Sequence, residues 1–562
     1  MKARVWSPQA AKMELVRGGQ REPMRSAGGG WWEADSELAQ GEDYWLARDG
    51  GTPRPDPRSR WQPQGVHGPA RAFDPARFVW TDANWRPPAW RSAIVYEIHV
   101  GTFSPQGTFA GAVARLDHLA ALGVTHVEVM PVAEFSGDRG WGYDGVDLFA
   151  PHHAYGGPEG FQSFVNACHA RGLAVLLDVV YNHLGPSGNY LAEFGPYFTD
   201  RCATPWGAAV NFDGPCCDGV RAFFIANACY WLREFHLDGL RLDAVHAIAD
   251  RSALPFLQEL ARSVRALEAE LGRELALVAE SDGNDPRLSA PELAGGYGLT
   301  AQWNEDFHHA LHAVITGERT GYFGDFGTLA ALAATLRRGF YLDGRYSSYR
   351  RRRHGRPFRG DDAARLVCYA QNHDQTGNRA QGERLSRLVA PGLLRVAAAL
   401  VLLAPGVPLL FQGEEWGART PFLYFTGHPE SELAAAVRRG RPPGSPDPQA
   451  PATFARSRLR WHEQDRDLLA WHQALIRLRR TTSLAGHDLG EVRVRWRENE
   501  RWLVLARGGW RVACNFAARV QPLPLGAPPP RGWRLRLASA PGVAGEGATA
   551  VLPPAAAAAF SR

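Results

Sequence analysis

The 562-residue sequence has no run of about eighteen uninterrupted apolar residues, so no membrane-spanning helix is expected. The block Leu393–Leu403, apolar apart from Arg395, is too short to span and reads as a buried helix. The first twenty residues hold no continuous apolar segment, so no secretory leader is read there. CxxC spacing is missing as well. The seven cysteines (Cys168, Cys202, Cys216, Cys217, Cys229, Cys368 and Cys514) are odd in number, and two of them are adjacent. That pattern argues against a disulfide framework or a thiolate metal site, and for reduced thiols in a cytoplasmic protein. Nor is there a charge excess: 63 basic against 58 acidic residues leave a formal +5, too diffuse to require a nucleic-acid partner. No internal repeat is evident. With 45% hydrophobic and 22% charged residues, disorder is excluded.

What is present is length, aromatic residues and turn formers. A chain of this length exceeds one core, and two to four domains are expected. It carries 19 Trp, 60 Gly and 40 Pro. Roughly two-thirds of the Trp residues are expected in the core; the remainder suit sugars, whose apolar C–H faces are covered by flat rings.

Residues 1–88 alternate short apolar runs (Arg4–Ser7, Lys12–Val16, Tyr44–Arg48) with Gly, Pro and Asp, which predicts a small N-terminal β-sandwich. A Pro-rich strap, Pro53–Pro69, leads onward. From Ile94 the pattern becomes apolar strands alternating with amphipathic helices. The strands are Ile94–Val100, Val124–Met130, Leu173–Val180, Gly239–Leu242, Leu275–Ala279, Leu299–Trp303, Leu366–Tyr369 and Val407–Phe411. Between them, helices are read at 111–122, 160–171, 220–235 and 254–271, with a last one near 468–478. Eight such strands predict an α/β TIM (β/α)8 barrel with loop insertions over 89–483, rather than a doubly wound sheet. Short alternating runs return over 484–562, a C-terminal β-sandwich domain. The basic run Arg350–Arg359 reads as a solvated loop, and the terminal polyalanine tract suggests no chemistry.

Polar residues cluster at four stations behind apolar strands: Asp178–His183, Gly239–His246, Val278–Asp282 and Gln371–Gln375. Strand C-termini converge on one barrel face, where catalytic groups sit. Arg241 and Asp243 lie two apart on one strand and so face the same way. The arginine favours the ionised carboxylate, as a nucleophile needs. Glu280 follows an apolar run, and desolvation there raises a carboxyl pKa, as a general acid needs. Two such carboxylates are the minimal apparatus of glycoside hydrolysis; retention calls for a separation of about 5–5.5 Å and inversion for about 6.5–9.5 Å. Asp374, beside His373, is a third acid placed to offset developing positive charge. A metal-hydrolase barrel would want an HxH pair on its first strand, where His99 stands alone, so no metal is expected.

These stations, in this order, resemble the signature regions of the α-amylase family of glycoside hydrolases over nearly the whole chain. The resemblance implies Asp243 as nucleophile, Glu280 as acid/base and Asp374 as transition-state stabiliser. It places Arg241, His183 and His373 at the sugar being cleaved, with Tyr143, within Gly140–Val146, as the platform beneath it. Other segments are similar to the branch of that family that cuts the α-1,4 bond next to the terminal trehalose of maltooligosyl-trehalose. They are Arg60–Pro69, Gly137–Val146, Tyr181–Tyr190, Thr204–Gly207, Asn211–Pro215, Trp303–His309 and Gly344–Ser347. That branch implies maltooligosyl-trehalose as substrate and no cofactor. The segment 184–211 is short for a calcium-binding subdomain, so no structural calcium is expected. Residues placed to read the trehalose end are His246, Asp306, Phe307, His308, His309, Gln375 and Asn378. The alternatives are a glucan branching enzyme and a non-catalytic glucan-binding protein; the second is disfavoured because all three carboxylates are present.

Overall fold

The computed structural model describes residues 1–204, 207–360, 362–530 and 532–562; Pro205 and Trp206 of the Thr204–Gly207 segment lie outside the described residues. Eight strands close into a barrel in sequence order: β1 (Val95–Ile98), β2 (His126–Val129), β3 (Ala174–Val179), β4 (Gly239–Leu242), β5 (Ala276–Ala279), β6 (Ala301–Trp303), β7 (Leu366–Tyr369) and β8 (Val407–Phe411). All neighbours pair parallel, and β8 returns to β1 through Leu409↔Val95. Every expected strand is present, some trimmed by one or two residues at the ends. The strands read as continuous apolar runs because both faces are covered, one by the barrel interior and one by helices. The polar exceptions are Glu97, His126, Glu128, Asp178, Arg241 and Gln302, all buried. Polar groups in such a place must find partners inside the protein.

The helix expected over 111–122 is two helices, Phe109–Val113 and Leu116–Leu122. The backbone N–H of Arg115 bonds Ala112 O, three residues back, which tightens the turn and brings Leu116, Leu119 and Leu122 into the core. The helix Phe256–Leu271 ends on Gly272, whose φ of 63° suits the left-handed cap. The final barrel helix, Arg466–Thr481, starts where Asp465 accepts from the backbone N–H groups of Asp467 and Leu468, each at 3.0 Å. Its buried face carries Leu468, Trp471, Leu475 and Ile476, and ends in Arg479.

Arg479 is buried and donates to the carbonyls of Leu402, Ala404 and Gly406 at 2.7–2.9 Å. Arg507, on a C-terminal strand, donates to Leu403 O at 2.6 Å and Ala404 O at 3.0 Å. Together they satisfy the C-terminal carbonyls of the apolar helix Pro391–Leu403, the negative end of its dipole.

Two β-rich regions flank the barrel. At the N-terminal end a three-stranded sheet (Lys2–Trp6, Trp31–Glu37, Arg25–Gly28) accompanies a four-stranded one (Gln20–Pro23, Met13–Arg17, Asp43–Arg48, Ala70–Arg71). At the C-terminal end a five-stranded sheet accompanies a three-stranded one, with Trp502, Val504, Leu523, Leu552 and Phe560 between them. The polyalanine tract belongs here. Ala556–Ser561 is an inner strand paired on both sides, and small residues let the barrel helix approach: a Cβ on Gly392 would lie 2.5 Å from Ala555 O. All seven cysteines are free, and among the described residues no helix is long and apolar enough to cross a membrane.

Arg507→Leu is expected to destabilise the protein by about 2 kcal/mol, because it leaves the carbonyls of Leu403 and Gly486 without this donor. Calorimetry should show a lower thermal midpoint; an unchanged one would remove this contact as the clasp between barrel and C-terminal sheet.

Candidate active site

The guanidinium of Arg241, fully buried on β4, organises the C-terminal mouth of the barrel. Asp178 sits opposite it in the β3–β4 register. Arg241 Nη1 donates to Asp178 Oδ1 at 2.8 Å, Asp178 Oδ2 at 2.7 Å and Asp243 Oδ1 at 2.9 Å. Its Nη2 lies 3.3 Å from Glu280 Oε2, a charge contact outside hydrogen-bond alignment. The guanidinium stacks over Trp303 at 4.4 Å from the ring centroid. One cation therefore faces three carboxyl groups.

Each carboxyl group is fixed by further donors. Asn182 Nδ2 donates to Asp243 Oδ2 at 2.7 Å, so both oxygens of Asp243 are held. Glu280 Oε2 accepts from the backbone N–H of Ala244 at 2.5 Å. That N–H points at Glu280 because Ala244 adopts a left-handed φ of 38°, a conformation unfavourable by about 1 kcal/mol or more for a residue with a Cβ. Burial pushes the Glu280 carboxyl up to about 8; Arg241 opposes the rise, and Asp243, Asp374 and Glu305 add to it. Burial likewise raises Asp178 to about 6, with Arg241 limiting the shift.

A second chain of bonds runs from Glu97 on β1 to Tyr143. His373 Nδ1 is 2.5 Å from Glu97 Oε1 on β1, and its Nε2 is 2.7 Å from Tyr143 Oη. Tyr143 Oη in turn donates to Asp178 Oδ2 at 2.5 Å. Burial alone would lower the His373 pKa, but the facing Glu97 carboxylate and Asp374 carry it up to about 9. The Tyr143 and His373 rings stack at 5.1 Å. His183 sets its Nε2 2.8 Å from Tyr143 O and its Nδ1 2.5 Å from Asn182 Oδ1. Two glycines make the crowding possible: a Cβ on Gly142 (φ 96°) would lie 2.2 Å from Pro131 O, and one on Gly185 2.0 Å from Asp144 O.

The structure thus brings Tyr143, His183, Arg241, Asp243, Glu280, His373 and Asp374 into one linked set. Asp374 is its exposed member, 3.5 Å from His373 Nε2 and bonded by Asn378 Nδ2 at 3.1 Å. Both nitrogens of His183 and of His373 are engaged within the protein, so these rings hold Tyr143 in place rather than stand free as donors. Gln375 joins Tyr322 Oη (2.9 Å) to Glu305 Oε2 (2.8 Å). His246 lies 3.9 Å from Asp282. Two expected residues do not reach the mouth: Asp306 accepts from the backbone N–H groups of Tyr341 and Leu342 at 2.7 and 2.6 Å, and Phe307 is core. His308 and His309 lie close behind. Their Nδ1 atoms are 2.9 Å apart, His308 stacks on Tyr369 and His309 on Tyr322, and burial lowers both pKa values, His309 to about 3.

Sequence reasoning did not single out Asp178, Asn182, Trp303, Glu305 or Arg350. Asp178 was visible, since it ends β3 as Arg241 and Asp243 end β4. Glu305, raised by burial to about 7, bonds Tyr369 Oη and Gln375. Arg350 was lost in the basic run. It pairs with Asp282 at 2.8 Å, and Arg352–His354 forms a short hairpin with Arg345–Ser347 instead of a loop. Among the described residues, two clusters have donor types suited to a cation, Glu134–His152–His153 and Glu305–His308–His309. In both the carboxylate already accepts hydrogen bonds from the protein.

Residues 73–198 match the family described as the α-amylase catalytic domain, and 487–559 match a domain of unknown function. A malto-oligosyltrehalose trehalohydrolase of Arthrobacter ramosus is 55% identical over 85% of this chain and 86% of its own length. One from Rhizobium sp. (strain M-11) is 47% identical over 98% and 96%. The chain belongs to the malto-oligosyltrehalose trehalohydrolase family. A crystal structure from Salmonella typhimurium, provisionally assigned as an α-amylase, shares 37% identity at a TM-score of 0.91, covering 100% of this chain and 97% of that one. The trehalohydrolase family membership extends through both β-rich flanks as well as the barrel.

Glu280 also ties the site to stability. Its folded pKa, about 8, lies above the ordinary 4.5, so the proton it retains stabilises the fold fully below about 4.5. That contribution is lost as pH rises through about 8. Glu280→Gln keeps a neutral group and is expected to flatten the thermal midpoint across this window; an unaltered pH dependence would place the titration elsewhere.

Proposed function

We propose that this chain hydrolyses the α-1,4-glucosidic bond next to the terminal trehalose of maltooligosyl-trehalose, releasing trehalose by a retaining double displacement. The single observation that carries the reading is the Arg241-centred site within a chain that shares family membership with named trehalohydrolases over most of its length. Free thiols favour a reducing, cytoplasmic location.

In the first step Asp243 attacks the anomeric carbon. Its two oxygens are held by Arg241 and Asn182, so the nucleophile does not have to be ordered during the reaction. Glu280 gives its proton to the glycosidic oxygen and trehalose leaves. The backbone N–H of Ala244 occupies Oε2, which leaves Oε1 to carry that proton. As charge develops on the sugar ring, the carboxylate of Asp374 offsets it and bridges ring hydroxyls. Tyr143, stacked on His373, is the platform under this sugar. In the second step Glu280, now ionised, takes a proton from water, which opens the glycosyl–Asp243 ester with net retention. Passing the sugar to another chain instead of water would make a branching enzyme.

On the trehalose side, His246 stands beside the Asp282–Arg350 pair, and Gln375, His308 and His309 stand beside Glu305. Selecting trehalose over maltose requires polar groups that a plain maltose unit leaves unpaired.

Incubation with maltooligosyl-trehalose is expected to release trehalose, whereas a maltooligosaccharide of equal length is cut far more slowly. New α-1,6 branches in amylose without trehalose would overturn the assignment. Asp243→Ala is expected to lower kcat by at least about 10³-fold while substrate still binds. Because Glu280 must be protonated to act, kcat/KM should fall as pH rises through about 8. A flat alkaline limb would contradict its role as acid.

A further inference from the structure

The Pro-rich strap ahead of the barrel ends at the same side of the mouth as Tyr143. Val66 lies against Gly188, where a Cβ would come within 2.4 Å of its Cβ. The next residue, His67, places Nδ1 2.7 Å from Tyr190 Oη and Nε2 3.5 Å from Glu430. Ser187 Oγ donates to Glu430 Oε1 at 2.5 Å. Three separate segments therefore meet in one polar cluster: the strap, the loop after β3 and the long loop after β8.

This cluster stands one layer from the platform. Ser187 and Tyr190 follow His183 on the same loop, and the backbone N–H of Gly185 donates to Gly145 O at 3.3 Å. From the other side, His428 Nε2 lies 3.4 Å from Asp144 Oδ2, the neighbour of Tyr143. The chemistry is that of a sugar site. The side chains of His67 and Glu430 remain 51% and 40% exposed although they are linked to one another. Glu430 is held on one side by Ser187 and His67, which leaves the rest of its half-exposed side chain facing outward. Tyr190 is held rigid by Arg54, stacked over its ring at 4.3 Å and paired with Glu193 at 3.0 Å. A half-exposed carboxylate, an exposed imidazole and a fixed phenol ring suit the hydroxyls and C–H faces of a glucose unit.

The position also selects which part of the substrate lies there. Under the proposed function, Glu280, just after β5, protonates the leaving trehalose, which therefore lies toward β5 and β6 with Asp282, Glu305 and Arg350. The strap cluster lies toward β2 and β3, across the barrel, where the retained glucan chain must run. We propose that His67, Tyr190 and Glu430 form an outer binding site for the α-1,4-glucan tail, so that the segment preceding the barrel contributes directly to substrate recognition. The inference rests on the proposed function for its orientation.

The test uses full-length protein with His67→Ala, Glu430→Gln and Tyr190→Phe, titrated calorimetrically with maltohexaose and with maltose. Loss of a hydrogen bond to a charged or fixed group weakens binding by about tenfold. Maltohexaose affinity is expected to fall by about that factor in His67→Ala and Glu430→Gln, and less in Tyr190→Phe, with maltose affinity changing little. In parallel, the ratio of kcat/KM on long-chain to short-chain maltooligosyl-trehalose should drop by a similar factor. If His67→Ala fails to fold, the other two variants, each conserving side-chain volume, decide the matter alone. Unchanged maltohexaose affinity, or equal losses for both sugars, would overturn the outer site. Absence of trehalose release by the wild type would instead sink the proposed function, leaving the maltohexaose comparison to judge the outer site.

Discussion

A single buried guanidinium sets the chemistry of this protein. Arg241 has no access to water and faces Asp178, Asp243 and Glu280 while resting on Trp303. Burying a cation is costly unless carboxylates surround it in good geometry. The reverse also holds: Arg241 limits how far burial raises the carboxyl groups of Asp178 and Glu280. The outcome is an unequal division. Asp178 and Asp243 take the direct hydrogen bonds, and Glu280, reached only by a misaligned contact and desolvated, retains its proton to about pH 8. Under the proposed function, two carboxyl groups of similar intrinsic chemistry take opposite roles because their environments differ.

The fold exists to hold that arrangement. Register puts Asp178 opposite Arg241 and Glu97 opposite Glu128. Glu97 then reaches across to His373, which carries the order on to Tyr143 and back to Asp178. This circuit uses β1, β3, β4 and β7 and the loop after β2, so a shift in any one of them would be felt by the others. The flanking β-rich regions take part as well. Arg507 closes the end of a barrel helix, and the strap carries His67 to the loops that frame the mouth.

The architecture was legible in the sequence because apolar strands behind turn signals have few other readings. All eight barrel strands lie where the apolar runs are, and the stations behind β3, β4, β5 and β7 converge. The helix at 111–122 was misread as continuous since its apolar spacing continues through Arg115; the tightened turn there is a backbone event with no side-chain signature. The polyalanine tract carried too little chemistry to suggest a strand, yet small side chains are what the close helix above it requires. Asp306 and Phe307 illustrate the limit of motif proximity. They neighbour Glu305 and His308 in sequence, but helical rotation turns one toward backbone amides and the other into the core. Arg350 was hidden for the opposite reason, one paired and largely buried guanidinium within a run of exposed ones.

The division of labour between Asp243 and Glu280 is the central claim, and covalent trapping tests it most directly. Incubating the protein with a fluorinated α-glucosyl fluoride, which slows turnover of the glycosyl–enzyme, should leave one sugar attached, and peptide mass spectrometry should place it on Asp243. Attachment at Glu280 or Asp374, or steady-state turnover with inversion and no adduct, would contradict the account.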